Sequence, residues 1–194
     1  MILLFLAVSP TSPSPQSLLE ASLAGPSCGV ATIELRQQAA LRPLWRDSEH
    51  HRITARLQGG VWSDVQHTPL ADHDPSTPLE EGPYPFVLPG VGQWPNDPDP
   101  VLWKDGLPTP RPAGQGWLWT TPDYRLSWQP GRVNLEAPGR MQEEGGGWIE
   151  DLNWSLTFDA QGRPEREKGS LRAGEDGVAL TFAWTVEYSW AACG

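Results

Sequence analysis

Cysteine is almost missing: the 194 residues contain two, Cys28 and Cys193. Two widely separated thiols cannot build a thiolate-only zinc site, and no Cys-x-x-Cys pair occurs. Long hydrophobic runs are missing too, because the apolar stretch over residues 1–8 is too short to cross a bilayer as a helix. Positive charge is scarce: 14 Lys and Arg face 24 Asp and Glu, and the formal net charge of −10 opposes a polyanion, which sets nucleic acid aside as a partner. Gly-x-Ser-x-Gly, His-Glu-x-x-His and Gly-x-x-x-x-Gly-Lys do not occur, which weighs against several common hydrolases and phosphate-binding enzymes. No internal repeat suggests a propeller or solenoid.

What the chain does have is 21 Pro, 20 Gly and 11 Trp. Proline and glycine punctuate turns, and tryptophan buries a large area per residue, so the composition favours short strands over helices. The start, Met1 to Val8, reads as the hydrophobic region of a signal peptide, and Ser9 to Pro15 reads as a polar, proline-broken spacer. The expectation is a chain exported to the periplasm, the cell envelope or the exterior. There, a Cys28–Cys193 bridge would close nearly the whole length, worth roughly 5 kcal/mol in the chain-entropy model.

Residues 16–194 are expected to form one β-rich domain. Gln16 to Ala24 carries helix formers with Leu19 and Leu23 four apart, and Gly25-Pro26 stops it, which predicts one short helix. Beyond Val30 the period becomes two: Ile33 and Leu35 alternate with Thr32, Glu34 and Arg36, and Ile53, Ala55 and Leu57 alternate with Arg52, Thr54 and Arg56. Between residues 69 and 112 lie twelve of the 21 prolines, which predicts a long irregular excursion.

From residue 117 to 190 the sequence reads as a meander. Turns are expected at Pro130-Gly131, at Asp159–Gly162 and over residues 173–177. Trp148, Leu152, Trp154, Leu156 and Phe158 share one parity, and only Glu150 interrupts that apolar face; buried there, its carboxyl would have a raised pKa. Val178, Leu180, Phe182, Trp184, Val186, Tyr188 and Trp190 share a face in the last strand. Arg163 to Arg172 is polar apart from Leu171, which suits a segment projecting beyond the core or lying at an edge. The fold class expected is therefore all-β, a mainly antiparallel curved sheet, barrel or sandwich, with one N-terminal helix and a long Pro-rich loop. That order broadly resembles periplasmic half-barrel lipoprotein carriers and small ligand-binding barrels. The likeness is one of fold and does not imply function.

The aromatic parity singles out Trp148, Trp154, Phe158, Phe182, Trp184, Tyr188 and Trp190 as residues that either fill a core or line a cavity for an apolar or amphipathic ligand such as a lipid. The functional expectation is a non-catalytic binding module without a cofactor or metal. Two alternatives are a carbohydrate or surface-binding module that stacks sugars on Trp117, Trp119 and Trp128, and a structural envelope protein. A hydrolase using loop carboxylates is the enzyme alternative. The one dense His/Asp group, His67, Asp72, His73 and Asp74, matches no specific metal-site spacing and reads as a solvated, turn-rich loop.

Overall fold

A computed structural model describes residues 13–24, 26–41, 45–58, 61–70, 107–142, 147–175 and 178–192. The signal-peptide-like run, most of the Pro-rich excursion with Asp72, His73 and Asp74, and Cys193 lie outside the described residues. One helix, α1 (Pro15–Ala24), precedes eleven strands. These are β1 (Cys28–Leu41), β2 (Trp45–Gln58), β3 (Val61–Pro69), β4 (Arg111–Ala113), β5 (Gly116–Thr120), β6 (Arg125–Gln129), β7 (Arg132–Ala137), β8 (Met141–Gln142), β9 (Trp148–Phe158), β10 (Pro164–Glu175) and β11 (Val178–Ala191).

The helix begins one residue earlier than its pattern suggested, because the spacer supplies its cap. Ser14 Oγ accepts the backbone N–H of Ser17 at 3.1 Å, and Pro15 occupies the first helical position, where its missing N–H costs nothing. Leu19 is buried and Leu23 packs beside it against the core.

All described strand pairs are antiparallel and form one sheet in the order β3-β2-β1-β11-β10-β9-β7-β6-β5-β4, with β8 also on β9. The expected meander is present from β5 to β11, and β11 then pairs with β1 to join the first hairpin to the last strand. Gly131 and Gly162 adopt positive φ, 81° and 74°, in the two turns predicted around them. In the second turn Asp159 accepts the backbone N–H groups of Gln161 and Arg163. Pro69 ends β3 and Pro112 lies in β4, the two edge strands, where a missing N–H disturbs no ladder.

One core cluster collects buried side chains from α1 and from β1, β2, β5, β6, β7, β9, β10 and β11. A second joins Leu57 of β2 to Leu156 of β9. These strands are four steps apart in the sheet, which on a flat sheet is about 19 Å at the usual spacing. For them to pack together the sheet must curl, and the curl makes the face bearing these residues concave.

Two sequence expectations are corrected. Residues 163–172 belong not to an edge but to β10, which lies between β9 and β11 in the middle of the sheet. Glu150 does not interrupt the apolar face, because β9 carries a bulge: the register against β10 shifts between Ser170 and Arg172, and Asp151 takes a φ of 54°. The extra residue inverts the parity before it, so Ile149 packs on the core while Glu150 and Trp148 turn to the convex face.

Candidate functional site

Hydrogen-bond register sorts the concave face into rows that run across the strands. One row passes from Val133 through Leu156, Glu167, Val186 and Leu35 to His51. The next passes from Trp119 through Leu126, Leu135, Trp154 and Gly169 to Trp184. Glu167 and His51 are the buried polar side chains among the described residues, each with 0 % of its surface exposed. Both stand in the first row.

Three aromatic donors hold the Glu167 carboxyl. The indole N–H of Trp154 and that of Trp184 donate to Oε1 at 2.8 Å and 3.0 Å, and the Tyr188 hydroxyl donates to Oε2 at 3.2 Å. The strands explain this convergence. Trp154 and Trp184 are the direct neighbours of Gly169 on either side, two residues along the same face from Glu167. A Cβ at Gly169 would collide with the Trp184 indole, so the glycine is what lets that ring lie across β10 and reach the carboxyl. Trp190 lies against Gly29 and donates its indole N–H to the Pro164 carbonyl at 2.7 Å.

Burial pushes the Glu167 carboxyl above the usual carboxylate range, opposed by the donors from Trp184, Trp154 and Tyr188. Burial likewise pushes the Tyr188 phenol well above its ordinary value, helped by the neighbouring carboxylate charge. No Lys or Arg pairs with Glu167 among the described residues, so its partners orient the charge without neutralising it. A buried acid with a perturbed pKa, placed among aromatic rings, marks a candidate site on physical grounds.

Of the seven aromatic residues singled out in the sequence, Trp154, Trp184 and Tyr188 meet at Glu167, while Phe158, Phe182 and Trp190 pack around the same core. Trp148 is separated from them: it lies on the convex face under the Arg140 guanidinium, 3.9 Å from the ring centre. Trp119 is wholly buried, and Trp117 and Trp128 pack half-buried against the core, so these three do not form an open stacking platform. The buried Trp119 indole N–H has no hydrogen-bond partner among the described residues. The Trp128 indole N–H donates to Ser22 Oγ of α1 at 2.8 Å and ties the helix to the sheet.

The residue missed in the sequence is Glu167. A signal was available in Gly169, a glycine two positions on, inside a run flanked by two Trp-bearing strands. His50 and His51 point to opposite faces: His50 stands 3.8 Å from Glu34 on the convex side, and His51 is buried. Among the described residues no three His, Cys, Asp or Glu side chains gather as a metal site would require. The described helix is not long and apolar enough to cross a membrane.

No protein-family model matches the chain, and no curated protein matches it. Among solved structures, a LolA superfamily protein from Nitrosomonas europaea is similar over 92% of each chain, with 10% sequence identity and a TM-score of 0.29, a likeness too slight to carry an argument.

Proposed function

We propose that the protein is a non-catalytic binding module that takes an apolar or amphipathic molecule, of lipid character, on its concave aromatic face. One observation carries this reading. The inner face of a curled sheet is lined with large rings, and Trp154, Phe158, Phe182, Tyr188 and Trp190 remain only partly buried against the core. Rings of this size on a concave wall match the apolar lining of small-molecule sites. The unpartnered Trp119 N–H adds support, since a buried indole donor without an acceptor costs about 1–3 kcal/mol and an oxygen of a guest would relieve that cost.

Export belongs to the same reading. β1 opens at Cys28 and pairs with β11, where Val30 stands opposite Ala191, two positions before Cys193 in the sequence, and a Cys28–Cys193 bridge formed in an oxidising compartment is part of the proposal. Native mass spectrometry of protein purified gently from its own host tests both parts. The expected results are a co-purifying mass of lipid size lost on denaturation and a gain of two hydrogens on reduction. A chain that is empty in every preparation overturns the binding reading, and an unchanged mass on reduction overturns the bridge.

A further inference from the structure

We propose that the Glu167 carboxylate is the head-group site of the concave face, and that the amphiphile it takes has a cationic head, a protonated amine or a quaternary ammonium. This inference rests on the binding reading above and names its ligand class. Glu167 is the wholly buried carboxylate among the described residues, and its three partners are neutral. Neutral donors fix an anion in place but leave its charge uncompensated, and that is costly in an apolar interior. A cation supplies the missing charge.

The acceptor geometry leaves room for it. Oε1 accepts two N–H groups and Oε2 accepts one O–H, so Oε2 retains acceptor capacity. The rings around the carboxyl are two indoles and a phenol, whose faces attract ammonium groups. The net charge of −10 draws cations toward the chain and repels anionic amphiphiles. Leu23, Leu57 and Leu156 pack with Trp154 and Tyr188 over this part of the face. A guest reaches the carboxyl by parting those apolar contacts, and its hydrocarbon tail replaces them.

The test uses amphiphiles with one tail and different heads: dodecyltrimethylammonium, dodecyl maltoside and dodecyl sulfate, each below its micelle-forming concentration. Binding to the full chain is followed by tryptophan fluorescence and calorimetry, for the wild type and for Glu167→Gln. The expected result is a preference of about tenfold or more for the ammonium over the maltoside, with the sulfate weakest. In Glu167→Gln that preference collapses to within about twofold while maltoside affinity holds. Equal binding of all the heads to the wild type, or a preference that survives Glu167→Gln, overturns the cationic assignment and leaves the binding reading standing. Failure of every amphiphile to bind overturns both. Tyr188→Phe provides an independent arm, because it removes the donor to Oε2 while keeping the ring. Ammonium affinity that holds or rises supports the proposal, and a tenfold fall overturns it.

Discussion

The two faces of the sheet each carry a glutamate beside a tryptophan that lies against a glycine, and they treat the charge in opposite ways. On the convex face Trp148 lies against Gly174, and Glu150 is paired with Arg140 at 2.8 Å and with Arg172 at 2.5 Å. On the concave face Trp184 lies across Gly169, and Glu167 is held by neutral aromatic donors. Solvent reaches the convex pair, so guanidinium groups are available and the ion pairs are screened. In the interior the same acid is oriented but not neutralised. The difference shows that tryptophan over glycine is a packing device of the sheet, whereas a buried acid without a counter-charge is, among the described residues, particular to the concave face.

Removing each acid should separate the two faces most sharply. Glu167→Ala strands three aromatic donors in the core and should cost at least about 3 kcal/mol in chemical denaturation. Glu150→Ala leaves two half-exposed arginines to water and should cost no more than about 1 kcal/mol. Equal losses would abolish the distinction between the faces.

The same pair of residues shows what the sequence could and could not display. Alternation in β1, β2, β9 and β11 is visible because those strands carry their own apolar side chains. β10 is central yet reads as polar, because its inward positions are Glu167, Gly169, Leu171 and Ala173, and the bulk above Gly169 comes from Trp184 of the next strand. Hydrophobicity supplied by a neighbour leaves no mark on the strand that receives it. Glu150 was misassigned for a different reason: strict parity holds only until a bulge, and Asp151 in the left-handed region resets it. The helix, the Pro130-Gly131 turn and the Asp159–Gly162 turn depend on local chemistry, and they were legible for that reason.

A smaller loss should follow from filling the space at Gly169. Gly169→Ala places a methyl where the Trp184 indole lies, and that ring is 4 % exposed, with little room to retreat. Overpacking of this kind costs about 1–3 kcal/mol, and loss of the Trp184–Glu167 bond should accompany it as a shift of the indole N–H resonance in NMR spectra. An unshifted resonance would mean that the glycine does not position the ring. On the convex face, Trp148→Ala should cost about 1–2 kcal/mol, since it removes a half-buried ring that stacks on Arg140 and lies against Gly174.

The smallest expected effect is in the pH dependence, where the faces should differ in sign. On the convex face the Arg52 guanidinium beside Glu34 holds its carboxyl below the usual range, so its contribution is present above the unfolded value and is lost as the pH falls through the folded one. Glu167 runs the other way. Its folded value is raised, so between the ordinary carboxylate value and the raised one the native state binds more protons than the unfolded chain, and stability falls as the pH climbs through that window. Glu167→Gln keeps a carbonyl oxygen for the two indole N–H groups and can donate its amide N–H to the Tyr188 hydroxyl. It should therefore remove that fall without loss of fold, leaving the variant at least as stable as the wild type at neutral pH. Denaturation midpoints measured from acid to neutral pH decide the matter. A wild-type curve whose slope in this window is unchanged in Glu167→Gln would mean that burial does not oppose ionisation of this carboxyl, and the uncompensated charge that separates the two faces would be lost as an explanation.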